Sequence, residues 1–417
     1  MGPITLFDKS FLQSLSLDES VWFDHFFLTN VCPIFYVETL ADLGKPGRKE
    51  RSSEDEVHII ADKFPDMSSG PCALHTDLCL ANLVGYEVPM TGQIPLDAGR
   101  LVSIDGKLNI ISEKSPVSIA FSRWQNREFD VVERQFASQW RHELSQINLT
   151  GKSDLLESWT PFKRCNSLEK ARDLAINFIE ASEKPLLRLE ICMMLLQIPR
   201  KFESQIRARW VQMGYPSLSE FAPYAAFVVA VILFFQLAIE SGHISSKRVS
   251  NLTDIAYLFY LPFCMLFVSS DRLHKRVVPL FLRTNQEFVW GLDLKVSLNE
   301  LNLYYSLFSD EQKEQGIHTL APTPPQYIPT LVSNLWNRHL RPWRSIDSEN
   351  TDAKDTTQLD DIKEKIKRME KMPSTDVDPD TFRIANVQSS TIKRKVRIKK
   401  GAWYRFPKNK FDKQEGG

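Results

Sequence analysis

DIAYLFYLPFCMLFVSSD, residues 254–271, is the stretch on which the fold turns. Asp254 opens it, and the apolar run Ile255-Ala256-Tyr257-Leu258-Phe259-Tyr260-Leu261 that follows suits a helix that this acid begins. Pro262 interrupts the run, Met265 to Ser270 then reads as a short buried strand, and Asp271 closes it. Two acids therefore sit where apolar elements give way to polar chain. Just upstream, Ala222 to Ile239 is almost continuously apolar and nearly long enough to span a bilayer. Pro223 at its start, Gln236 near its end and the flanking Glu220 and Glu240 favour a buried core helix, and no membrane is expected as a partner.

The N-terminus repeats the pattern. Ile4-Thr5-Leu6-Phe7 reads as a strand ending in Asp8, with helices expected over Ser10–Leu17 and Asp18–Phe27. Val31 to Val37 is β-rich around Pro33, so Glu38 is expected to follow a strand and begin a helix. Asp42 lies one helical turn further, on the same face. Lys45 to Glu56 reads as a charged loop, and Val117 to Phe202 as mostly long helices.

Carboxylates gathered at one edge suit hard divalent ions, because Mg2+ and Mn2+ prefer oxygen ligands. Such ions orient water and neutralise charge in phosphodiester cleavage. Each acid also has an ordinary explanation. Asp254 could simply favour a helix N-terminus, and Asp8 and Asp271 could be turn residues. His274, about one turn after Asp271, could reach a phosphate or a water, and Arg272, Lys275 and Arg276 could guide a nucleic-acid backbone.

The block Asp254 to Asp271, with its helix-opening acid, apolar strand and closing Ser-Ser-Asp, resembles the C-terminal signature of PIN-domain ribonucleases. Leu6-Phe7-Asp8-Lys9-Ser10 is similar to that family's first strand, and Glu38 falls where its helical acid stands. The resemblance implies an α/β fold with a PIN-like three-layer core around a central parallel sheet. It also implies metal-binding, catalytic roles for Asp8, Glu38, Asp254 and Asp271, with Mg2+ or Mn2+ as cofactor. Asp42, Ser269, Ser270 and His274 would support them. The expected domains are a core from residues 1–90 and 215–300, a large mostly helical insertion over 91–214, an extension over 301–344 and a charged, disordered tail over 345–417.

The expected activity is metal-dependent cleavage of nucleic acid, RNA favoured, by a bacterial toxin, defence effector or processing enzyme. The alternative is a non-catalytic interaction protein on a degenerate PIN-like core, and a protein partner, an inhibitor or self-association is compatible with either.

The 52 basic and 52 acidic residues balance, so nucleic-acid contact has to come from local patches. One is Lys393, Arg394, Lys395, Arg397, Trp403 and Tyr404, where cations precede aromatics. The same alternation suits an edge strand docking on the body. Ala120–Trp124 and Trp140-Arg141-His142 also pair aromatics with basic residues. The six scattered cysteines read as buried thiols in a cytoplasmic protein, and nucleotide-loop, serine-elbow and zinc-helix motifs are absent from the sequence.

Overall fold

A computed structural model describes residues 2–47, 51–97, 100–104, 107–112, 116–146, 149, 165–325, 327–340, 364, 368, 371–372, 387–392 and 396–408. The chain is mixed α/β around a five-stranded, wholly parallel sheet. Its strands are β1 (Ile4–Phe7), β2 (Leu28–Val31), β3 (Ser69–Pro71), β6 (Leu266–Ser269) and β7 (Glu287–Trp290). A separate three-stranded sheet joins β4 (Arg100–Ile104), β5 (Lys107–Ser112) and β8 (Val387–Ile392), and a hairpin joins β9 (Lys399–Lys400) to β10 (Trp403–Tyr404).

The main sheet has the order β3-β2-β1-β6-β7. β1 and β6 are buried along their whole length, which is why Ile-Thr-Leu-Phe and Leu-Phe-Val-Ser lack apolar alternation. The edges are a three-residue strand containing Gly70 and Pro71 and the half-exposed β7. The chain moves outward from β1 through β2 to β3, then returns to the other side of β1 as β6. The β1–β6 boundary is thus the point where strand order reverses, and at such points a crevice opens beyond the carboxyl ends of the strands. Asp8 and the residues after Ser269 stand there.

Two local expectations are corrected. The β-rich reading of Val31–Val37 fails after Val31: Pro33 occupies the first turn of helix α3 (Pro33–Leu40), where its missing N–H costs nothing. Glu38 therefore lies in the last turn of that helix instead of opening one. Likewise Asp254 lies inside a helix, Ser250–Ala256, and the following Tyr257–Phe263 is a fully buried 3-10 segment around Pro262. The charged loop also ends early, because Ser52 and Asp55 form a capping box that starts a helix at Ser53.

Pro223–Glu240 is the one helix among the described residues long and apolar enough to cross a membrane, and 72% of it is buried within the protein. It packs against Leu168–Glu180 and His75–Val84. All six cysteines are buried, and none forms a disulfide among the described residues.

The disordered tail is corrected over its described end. Trp403 is buried against the Trp22 ring with centroids 4.8 Å apart, and its indole N–H donates to Asn302 at 2.8 Å. Gly401 turns the hairpin at φ +58° beside Asp18, which accepts from the Ala402 amide at 2.8 Å. Arg405, fully buried, pairs with Asp24 at 3.3 Å and with Asp66, while the Lys400 ammonium donates to the Phe64 carbonyl at 2.9 Å. These cations neutralise two carboxylates near the starts of β2 and β3, so removing one exposes a buried charge. Arg405→Ala is expected to lower unfolding free energy by about 3–5 kcal/mol, measured by urea titration of the full chain. Unchanged stability would mean that the tail does not hold these acids.

Candidate active site at the carboxyl edge of the sheet

Asp8 leaves β1 and caps the next helix, α1 (Lys9–Ser14): its Oδ1 accepts from the Phe11 amide at 2.9 Å. Its Oδ2 accepts from the Ser10 hydroxyl at 2.7 Å and the Ser269 hydroxyl at 2.6 Å, and lies 3.2 Å from His274 Nδ1. Ser269 also accepts from the Asp271 amide at 2.9 Å, so one hydroxyl links Asp8 to the turn bearing Asp271. Asp271 in turn caps the helix Arg272–Val277 by accepting from Leu273 at 2.6 Å.

His274 is fully buried, which corrects the expectation that it reaches phosphate or water. Its Nε2 lies 2.7 Å from the Asp254 carbonyl oxygen, which can only accept, and its Nδ1 faces the Asp8 carboxylate. Nδ1 also lies 2.8 Å from Ser269 Oγ, whose one proton goes to Asp8, so both ring nitrogens face acceptors and the ring is an imidazolium. Burial alone would push His274 down, but the hydrogen bond and charge of Asp8, with Asp254, outweigh it and raise the group to about 9. Burial would likewise raise Asp8, but His274, Ser269 and Ser10 hold it below the ordinary carboxylate value.

Glu38 and Asp42 share a second internal cation. Lys9 Nζ lies 3.4 Å from Glu38 Oε1 and donates to Asp42 at 3.0 and 3.1 Å, and both acids hold it protonated against the opposing effect of burial. Lys45 reaches Asp42 at 2.5 Å, and the buried Tyr257 hydroxyl donates to Glu38 at 2.7 Å. Lys9, Glu38, Asp42 and Asp254 line a cavity of about 310 Å3, with Trp140 and Arg141 among its other walls.

Asp254 is the exception among these acids. Burial, reinforced by Asp271, Glu38 and Asp8 and opposed by His274, pushes its carboxyl up to about 7. The other three predicted acids thus all act electrostatically on Asp254. Even so, among the described residues no three His, Cys, Asp or Glu side chains stand close enough to hold a metal ion as they are arranged. The donors are all-oxygen and share one edge, so they fit a hard cation in chemistry and charge, while Lys9 and His274 occupy part of that charge.

Of the other sites read from sequence, Ser270 Oγ is buried without a hydrogen-bond partner, and its amide donates to Ser10 at 3.2 Å. Arg272, Lys275 and Arg276 are exposed, with Lys275 over the Trp290 ring at 4.7 Å and Arg276 donating to the His243 carbonyl at 3.3 Å. Trp403 is withdrawn as a base-stacking residue because it is buried, and Arg397 is paired with Asp62 at 2.7 Å. Tyr404 is half-buried under Lys399. Lys393, Arg394 and Lys395 lie outside the described residues. Phe121 and Trp124 are core residues. Lys9 and Tyr257 were missed by sequence reasoning, although each lies within one turn of an acid that was found.

Comparison with known protein families, with characterised proteins and with solved structures gave no match.

The shifts fix the pH dependence of stability. His274, raised from 6.5 to about 9, stabilises fully below its unfolded value, and that stabilisation is lost as pH rises through about 9. Asp254, raised from 3.8 to about 7, costs stability as it ionises across that interval. Each of these two groups therefore contributes stability that falls as pH rises through its window, against opposite contributions from His25 and His75, lowered by burial to about 3 and about 4, in the lower window and from Lys400, lowered by burial to about 8, in the upper. In urea unfolding between about pH 5 and pH 10, the stability of wild type relative to Asp254→Asn should fall with pH through the lower window, and relative to His274→Gln through the upper. A wild-type-minus-His274→Gln difference that does not change with pH would refute the buried imidazolium.

Proposed function

We propose that the chain is a PIN-like, metal-dependent phosphodiesterase acting on nucleic acid, with RNA the favoured substrate. One observation carries this reading: Asp254 is a half-buried carboxyl lining a cavity with Glu38 and Asp42 at the carboxyl edge where strand order reverses, and it is raised to about 7 by desolvation and then by Asp271, Glu38 and Asp8. Purely structural carboxylates are individually matched with donors or cations, whereas burial, with three neighbouring acids, disfavours the charged form of this one, a cost that an added cation would relieve.

Asp254, Asp271 and Glu38 would hold a Mg2+ or Mn2+ ion, with Asp8 contributing through Oδ1, which accepts from the Phe11 amide. The ion would supply positive charge against the phosphate and the departing oxygen. Lys9 orients Glu38 and Asp42 from one side, and Tyr257 fixes Glu38 from the other. His274 keeps Asp8 ionised and ties it to the backbone of Asp254. Arg272, Lys275 and Arg276 follow Asp271 on the exposed side and would meet phosphates there.

A second reading, a non-catalytic interaction protein on the same core, is favoured by the internal cations Lys9 and His274 and by the lack of a preassembled metal cluster among the described residues. Divalent ions separate the two. Under the first reading, Mn2+ raises the melting temperature of the wild-type protein and supports cleavage of labelled RNA. Asp254→Asn and Asp271→Asn should lose ~100-fold or more of that activity while remaining folded. No Mn2+ effect on melting together with no cleavage would leave the interaction reading in its place.

A further inference from the structure

The helix Val131–Gln146 is pinned at its first turn and carries two side chains to the cavity at the carboxyl edge of the sheet. Glu133, buried, accepts from the Trp124 indole at 3.1 Å, from the Arg123 guanidinium at 2.6 Å and from the Asp130 amide at 2.9 Å. One turn on, Ala137 packs against the 3-10 turn Ala41–Gly44, which bears Asp42. A Cβ on Gly44 would lie 2.8 Å from the Ala137 carbonyl oxygen, so this close approach needs glycine. Trp140 and Arg141 follow Ala137 on the same face of the helix, and both line the cavity with Lys9, Glu38, Asp42 and Asp254.

Trp140 is half-buried, and its ring lies nearly parallel to that of the exposed Phe136, with centroids 6.1 Å and planes 14° apart. Arg141 is exposed and makes no ion pair among the described residues, although Glu38, Asp42 and Asp254 line the same cavity. Ser250 and Thr253, from a further wall, have hydroxyls without a hydrogen-bond partner among the described residues. An aromatic face beside an uncommitted guanidinium and two uncommitted hydroxyls matches a nucleotide, whose base stacks, whose phosphate takes a cation and whose sugar takes hydrogen bonds. A cavity of about 310 Å3 takes one unpaired nucleotide and not a base pair. Purines offer the larger stacking surface. We propose that Trp140 and Arg141 form the specificity wall of this cavity, stacking a purine base and holding its phosphate beside the acids. Without a bound cation those acids repel the phosphate, so the inference rests on the phosphodiesterase reading and adds a base preference to it.

The test is fluorescence anisotropy of short labelled oligoadenylate and oligouridylate with the full-length protein in Ca2+, with circular dichroism melts as the check on folding. Wild type should bind oligoadenylate about fivefold or more tighter than oligouridylate. Trp140→Ala should weaken oligoadenylate binding about tenfold or more and erase the preference, while Trp140→Phe keeps most of both. Arg141→Gln should weaken the two oligonucleotides alike and reduce the salt dependence of binding. Equal affinity of wild type for the two, or a preference that survives Trp140→Ala, would overturn the proposal. Cleavage in Mn2+ is read separately. A Trp140-dependent preference without cleavage keeps the stacking wall and removes the phosphodiesterase reading, whereas cleavage without such a preference does the reverse.

Discussion

Three helical or turn segments and two central strands meet at a single buried ion pair, Asp8 with His274. Asp8 ends the first strand and caps the first helix, while His274 joins that carboxylate to the backbone of Asp254. A buried carboxylate left without partners would be expensive, and breaking such a pair from one side commonly costs several kcal/mol. The pair therefore constrains how β6, the segment before it and the turn after it approach β1. Ser269 shares both partners, which places the Asp271 turn in the same network.

Negative charge is buried in two places and handled differently in each. Near the starts of β2 and β3, Asp24 and Asp66 are closed by Arg405 and Lys400, and Asp24 also accepts from the Met67 and Ser68 amides. At the carboxyl ends of the strands, Lys9 and His274 serve Glu38, Asp42 and Asp8, but Asp254 retains a raised carboxyl beside a cavity. The first arrangement is what structural demands alone produce. Burial raises Asp24 as well as Asp254, so the physical difference between a clasp and a candidate site is that Asp24 is closed off by Arg405 while Asp254 stands beside a cavity.

The sheet and its acids were legible because buried parallel strands and the acids that end them leave local signals. Ile4–Phe7 followed by Asp8, and Leu266–Ser269 followed by Asp271, could be read without knowing their partners. Helix α3 was harder, since Ile34–Val37 is too short for periodicity to separate strand from helix, and only Pro33 at its first turn decided it. The tail was harder still. Alternating cations and aromatics serve nucleic-acid binding and intramolecular docking equally well, and the deciding partners, Trp22, Asp24 and Asp66, lie more than three hundred residues away in sequence. Lys9 and Tyr257 were invisible for a related reason: a charge or hydroxyl acquires its role only when folding brings an acid to it.

That distance has a consequence for synthesis. β1 leaves the ribosome well before its neighbour β6, which follows some 260 residues later, and Arg405 comes later again. Until then Asp24 and Asp66 have no arginine, and one flank of the central strand has no hydrogen-bonding partner. Long-range pairing of this kind slows folding and leaves sticky edges exposed meanwhile. A nascent chain halted before the hairpin of β9 and β10 would thus carry an open acidic pocket and an unfilled seat beside Trp22.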